Sequence, residues 1–460
     1  MTYTASEATP CDRPKTAVGL RGMPAAVGAC VAIVLCGSVP PRALGQTLAR
    51  PLRQVGPVVA HGFRAGAGMV GLRDGEVLVA DPLAGGLSLM DSTLSGRVFV
   101  AGVPDTEPRL PVDAPAPLTA LIRFTGDSIV FADGATESLR LLDPAGRLAR
   151  VISLPPGVPL APLVDQQCHP GFDARGGLIF ELGRASADLQ QWPKVSVVPF
   201  ATSVIYSAEP PILSSGTPIG SVLDTDIVVR ADMKSGVVDT IASLTRARLP
   251  FSAPRRLPDG ARVTATDVFP IQFSDGLAIT TDGSVAVVRG RDYHIDWIDP
   301  DGTHRSTPPV AHTWQVLSSS RKAKIVDSTR AALDSVEARD ASAHRADPSV
   351  QPRRFLIPSA EALPDSLPPF GENAVFADAD NELWIRQSTG ASAVVAPPSL
   401  SSPPQAFDIV NRSGRLVDRV EMPRGCALGG FAPGVVFAVC NAAPSRLGDD
   451  GFDVIRLRFR

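Results

Sequence analysis

The chain has 460 residues, enough for a large core, and a formal net charge of −3 with no block of basic residues, which argues against a nucleic-acid-binding surface. Its 44 prolines and three tyrosines suit a loop-rich all-β chain, because proline interrupts helices and central strands. Length alone allows two or three domains, yet closed repeat architectures reach this size as a single one.

In chain order, Arg13, Lys15 and Arg21 precede an apolar run from Ala25 to Val39, followed by the small residues Ala43 and Gly45. This pattern reads as a secretory signal peptide over residues 1–45, leaving 46–460 as one domain. The apolar run is about fifteen residues, short of the ~20 that a spanning helix needs. The mature chain is therefore expected in the periplasm or outside the cell, without a transmembrane segment.

Beyond the leader the turn signals repeat. Gly75 precedes Asp91 by sixteen residues, Asp127 precedes Asp143 by sixteen, and Gly283 precedes Asp299 by sixteen. Between these turns lie runs such as Val77-Leu78-Val79-Ala80, Ile129-Val130-Phe131-Ala132 and Val285-Ala286-Val287-Val288. Short Val/Ile runs bounded by Asp-Gly signals read as antiparallel meanders. A period near 50 residues carrying several strands marks propeller blades. Equivalent turns fall at Gly75, Asp127, Gly177, Gly283, Asn381 and Gly434, with intervals of 52, 50, 106, 98 and 53 residues. The two double-length intervals leave six blades with insertions or, as the alternative, eight; six is preferred because the long intervals lack the Asp-Gly strand pattern. A helical insertion is expected over about 314–340, where Ile325, Val326, Ala332, Leu333 and Val336 form an apolar stripe at helical spacing. Its basic residues come early and its acidic residues late, against the helix dipole, so it should depend on packing. Near the C-terminus, Cys426 and Cys440 fall opposite each other about the turn Ala432-Pro433-Gly434. That register suits a disulfide in an oxidising compartment; two buried thiols acting as small apolar residues are the other reading.

Six units of turn, Val/Ile/Leu strand and Asp-Pro-x-Gly turn resemble secreted six-bladed β-propellers of the NHL and TolB-like superfamily. The fold class that follows is all-β, a six-bladed β-propeller with a short helical insertion. Relatives of that kind include gluconolactonase-type enzymes, which carry a divalent metal at the channel mouth. Their Asn-Gly-Leu-Ala motif is echoed in Asp275-Gly276-Leu277-Ala278, with Asp275 where the motif has Asn.

Candidate chemistry was weighed against turn and core roles. Asp296, Asp299, Asp301, Asp378 and Asp380 sit in or near turns, where aspartate caps the backbone without needing calcium. None of the six histidines forms an i, i+4 metal pair, and each reads as structural. No Gly-x-Ser-x-Gly elbow, phosphate loop or haem-attachment motif is present. In a propeller the first strand of each blade lines the axis. On that alignment Arg123, His169, Asp275, Glu372, Asn373 and Arg424 are expected to ring the channel mouth as a ligand-binding set. The function expected is a non-enzymatic ligand- or protein-binding or scaffold module, monomeric, with an unidentified protein or small ligand as partner and no cofactor. The alternative is a metal-dependent lactonase or hydrolase of the gluconolactonase type, with calcium or another divalent metal.

Overall fold

A computed structural model describes residues 49–102 and 121–158 with short gaps, 170–183, 225–245, 262–346, 354–388, 404–441 and 452–458, and strand residues 197–200, 203–206 and 251–256. The segment read as a signal peptide lies outside the described residues.

Six antiparallel sheets follow one another, each with its strands in chain order. Their first strands are Met69–Gly71, Leu121–Arg123, Gly171–Phe172, Gly276–Ile279, Phe370–Ala377 and Cys426–Ala432. First strands of neighbouring blades touch, those of blades 1 and 2, 2 and 3, 4 and 5, and 6 and 1, and the molecule is a six-bladed β-propeller. The first long interval holds two hairpins outside the blades, Val197–Phe200 with Ser203–Tyr206 and Phe251–Arg256 with Arg262–Asp267, and the second holds a helix and the strand Arg354–Leu356, which removes the eight-blade alternative. Closure is made by the N-terminal segment. Arg53 and Gln54 pair with Arg458 and Leu457, and Val59 pairs with Val454, supplying the outer strand of blade 6 and leaving that sheet no open edge there.

The blades are held by apolar layers between neighbours. Trp297, Ile295 and Ala286 of blade 4 pack with Phe370, Val375, Leu383 and Ile385 of blade 5, and Trp384 and Phe407 of blade 5 pack with Phe431 and Val436 of blade 6. Val285 to Val288 are buried along their whole length, which explains their unbroken apolar run: both faces of the strand meet another blade. Each large side chain so buried contributes about 1.5–3 kcal/mol. Near the axis the first strands approach so closely that a side chain at Gly276 would collide with Val375, and one at Gly71 with Ala432.

Two faces follow from this topology. The turn face carries the turns that join strands 1–2 and 3–4 of each blade. The linker face carries the strand 2–3 loops and the links between blades. On the turn face, Asp91 accepts the N–H groups of Thr93 and Ser95 at 2.8 and 3.1 Å, Asp143 those of Ala145 and Arg147 at 3.0 and 2.9 Å, and Asp378 those of Asp380 and Glu382, both at 2.9 Å. Aspartate recurs there because its short carboxylate closes the turn on its own backbone.

The linker face over blades 3 to 5 carries an added layer. The Arg262–Asp267 strand, from the link into blade 4, pairs in parallel with Arg354–Leu356, from the link into blade 5. Helix α1 (Ser319–Ala346) lies in the second of these links, later and longer than the 314–340 expected. Ser318 sets its start, its hydroxyl accepting the Arg321 N–H at 3.3 Å, and the preceding residues are extended: the Leu317 N–H bonds Asp365 O at 2.8 Å and Gln315 O accepts from Leu367 N–H at 2.9 Å. The unfavourable early Lys322 is answered from outside the helix, its Nζ reaching Leu363 O at 2.9 Å and Asp365 at 2.7 Å. Ile325 joins Ile271, Leu317, Leu363 and Leu367 in a small core beneath the helix. Among the described residues, no helix is long and apolar enough to cross a membrane.

Candidate functional site

The linker face at blades 4 and 5 gathers a set of rings around one buried carboxylate. Tyr293 lies in the strand 2–3 loop of blade 4 at φ 50, in the left-handed region that a ring-bearing residue seldom adopts. It is fixed at both ends. Its carbonyl accepts the Val310 N–H at 2.7 Å, and its hydroxyl donates to Asp408 Oδ2 at 3.2 Å. Asp408, on the third strand of blade 5, is 1% exposed and also accepts Gln387 Nε2 at 2.6 Å and Arg419 Nε at 2.7 Å. Burial, and then the Asp408 charge, push the Tyr293 hydroxyl well above its ordinary range, so it remains a neutral donor.

His312 stands against this anchor. Its ring meets Tyr293 edge-on at 5.4 Å between centroids and Trp314 at 5.3 Å. Trp314 in turn lies 6.2 Å from Phe273, and Tyr293 lies 5.8 Å from Phe370. The series runs from Trp314 at the surface, 37% exposed, to the fully buried Phe370. Burial pushes the His312 imidazole below its usual 6.5; the Asp408 charge opposes this and the Arg419 charge assists it. Half-buried and neutral, His312 makes no hydrogen bond among the described residues. A neutral imidazole with an open nitrogen is a proton acceptor near physiological pH.

Five of the six residues expected to ring the mouth are among the described residues. Asp275 is 5% exposed, and its carboxylate accepts the Thr245 N–H at 2.9 Å, Arg289 Nη1 at 2.7 Å and the Gly290 N–H at 3.1 Å. It fastens the outer strand of blade 3 to the entry of blade 4. Arg123 stands at the far end of its strand, next to the turn face, where Nη2 donates to Gly71 O at 2.8 Å and Phe431 O at 3.0 Å. It ties blade 2 to blades 1 and 6 across the axis. Glu372 and Asn373 lie in a bulge of the first strand of blade 5, Arg424 is exposed in the turn before blade 6, and His169 lies outside the described residues. Cys426 and Cys440 are opposed in register and joined, Sγ to Sγ 2.04 Å and Cα to Cα 4.0 Å.

His312 itself was read as structural. The signal that marks it is local: His312 and Trp314 are two apart in an extended stretch, and such residues share a side.

The divalent metal implied by the family resemblance was tested on these residues. At the motif position the Asp275 carboxylate is committed to two backbone N–H groups and a guanidinium. Among the described residues no three His, Cys, Asp or Glu side chains are grouped to hold a cation. The described side chains do not fit the group, and no step is derived through it.

No family model and no curated protein matches the chain. Solved structures similar to it include a calcium-binding regucalcin from Agrobacterium tumefaciens, at 12% identity over 90% of this chain and 98% of that one, with a TM-score of 0.35. A gluconolactonase from Xanthomonas campestris is similar at 9% identity over 89% and 97%, with a TM-score of 0.35. A luciferin-regenerating enzyme is similar at 11% identity over 88% and 96%, also at 0.35. These neighbours are enzymes and a calcium-binding protein. The likeness is one of fold; the expectation of a non-enzymatic binding or scaffold module is not kept, and the hydrolase alternative rests on the His312 geometry alone.

Proposed function

We propose that the chain is a small-molecule hydrolase that opens lactones or related esters on its linker face, with His312 as the general base. One observation carries this reading: a half-buried imidazole, held neutral by burial, presents its ring nitrogens without a hydrogen-bond partner among the described residues. In the reaction, a ring nitrogen of His312 takes a proton from water as the water oxygen bonds to the ester carbonyl carbon. The carbon–oxygen bond to the alcohol then breaks, and the imidazolium returns its proton to the departing oxygen. Tyr293 is a positioning residue, setting the His312 ring edge-on from a phenol anchored to Asp408. Trp314 and Phe273 offer apolar ring faces beside the imidazole for the body of a substrate.

The test is hydrolysis of a lactone and aryl-ester panel by the purified full chain, with chelator present. Wild type is expected to turn over at least one substrate with chelator, and His312→Gln to lose about a hundred- to ten-thousand-fold in kcat/KM. Activity in wild type should fall on the acid side at a pH below the ordinary imidazole value, because burial lowers the His312 pKa and protonation removes the base. An inactive wild type, a His312→Gln enzyme as fast as wild type, or abolition by chelator would each overturn the reading.

A further inference from the structure

Packed arginines in this propeller are held by acids or, like Arg123 and Arg456, by backbone carbonyls no farther than 3.1 Å. Arg289 holds Asp275 and Asp296, both at 2.7 Å. Arg419 holds Asp408 at 2.7 Å, and Arg412 holds Asp282 and Asp299. Arg386 departs from this pattern. It lies on the second strand of blade 5, Leu383–Gln387, two residues beyond the buried Trp384 and on the same side of the strand. Among the described residues its polar contacts are from Nη2 to the backbone carbonyls of Glu372 and Asn373, both at 3.4 Å, the outer limit of a hydrogen bond. No described carboxylate pairs with it, and burial alone pushes its guanidinium below the usual range. Arginine stays charged in such a setting, so the cost of desolvating the cation is met by no counter-charge.

The backbone above it is also irregular. Phe370 pairs with Gln387 and the next pair is Val375 with Ile385, so residues 371–374 leave the ladder. Asn373 in this bulge sits at φ 50. Bulges of this kind re-aim groups and recur beside functional sites. Here the bulge turns two carbonyls toward Arg386 and satisfies only part of a group with several N–H donors. The side chain is packed about yet keeps part of its surface open to solvent.

We propose that Arg386 is the cationic floor of an oxyanion subsite on blade 5, taking the carboxylate or phosphate group of a small ligand. A bidentate anion would supply the missing charge and use the planar donor pair that the two distant carbonyls leave free. The site does not depend on the His312 reaction, although a hydrolase releasing a hydroxycarboxylate would have a use for it.

Calorimetry and thermal unfolding of the full chain test this, with inorganic phosphate in one arm and sodium gluconate in the other, against sodium chloride at matched ionic strength. At least one anion is expected to bind saturably and raise Tm. Arg386→Gln is expected to weaken that binding at least about tenfold, because the charge is gone. His312→Gln should leave it unchanged, which separates this subsite from the catalytic reading. Which arm responds tells carboxylate from phosphate. Equal binding to wild type and Arg386→Gln, or no effect of either anion beyond chloride, would overturn the proposal. Should Arg386→Gln not fold, Arg386→Lys decides: weaker binding supports a bidentate arginine site, and unchanged binding overturns it.

Discussion

On the turn face, Asp91, Asp143, Asp173, Asp232, Asp378 and Asn411 each accept backbone N–H groups of their own turn. Arginines there staple one blade to the next: Arg412 reaches from blade 5 to Asp282 and Asp299 of blade 4, and Arg456 from blade 6 to Ser92 O at 2.6 Å and Gly75 O at 3.1 Å in blade 1. On the linker face, His312 and Arg386 lack comparable partners, and Ser274 Oγ is buried with none. A buried polar group left unsatisfied costs stability. The contrast is one of degree: the turn face repeats a device that holds the fold, though Arg456 Nε and Arg305 Nη2 are buried without a partner among the described residues, while the linker face gathers more groups of that kind.

The largest effect should come where the two kinds of chemistry meet, at Asp408. Asp408→Ala removes the buried carboxylate that pairs with the half-buried Arg419 and is expected to cost about 3 kcal/mol in denaturant unfolding. Asp408→Asn is milder and keeps an acceptor for Tyr293. Because the Asp408 charge raises the His312 pKa, its removal should move the acid limb of activity to lower pH. An Asp408→Asn enzyme with both rate and acid limb unchanged would show that the Tyr293–Asp408 anchor has no bearing on His312.

A smaller and cleaner break is available on the turn face. Arg412 is about one-third exposed and also lies 5.2 Å over the Trp297 ring. Arg412→Ala is expected to lower stability by about 1 kcal/mol once solvent screening is counted. Turnover should not change, since no linker-face group touches it. A loss of kcat/KM without a shift in urea midpoint would dissolve the division between faces.

These differences decide what was legible beforehand. The Asp-Gly turns at sixteen-residue spacing disclosed six blades, because turn geometry is local and each blade needs it again. The opposed Cys426 and Cys440 were legible for the same reason, since hairpin register follows from a turn. Asp275 was not: its partner Thr245 lies thirty residues away, and only the adjacency of blades 3 and 4 brings them together. Arg123 was placed at the start of its strand, whereas it is the last residue of Leu121–Arg123. His312 and Arg386 carry no repeat at all. Their importance comes from partners they lack, and a missing partner leaves no trace in spacing.

The finest test separates the faces on the pH axis. The Asp91 carboxyl is lowered from the usual 3.8 to about 2, first by the Thr93 hydroxyl and then by the N–H groups of Thr93, Gly96 and Ser95. The folded chain therefore binds fewer protons than the unfolded chain between these values. The contribution is whole above about pH 4, shrinks as pH falls, and is gone below about pH 2. Asp143, Asp232 and Asp301 are lowered in the same sense by their own turns. Asn411 does the same work in blade 5 without a charge, accepting the Ser413 and Arg415 N–H groups at 3.1 and 3.0 Å. Asp91→Asn should therefore keep the turn and flatten the acid limb of the stability curve slightly between pH 4 and 2, as read by urea midpoints across that range. It should leave the activity limb set by His312's titration where it is. Superimposable acid limbs for wild type and Asp91→Asn would mean that the turn carboxylates hold the fold by shape alone.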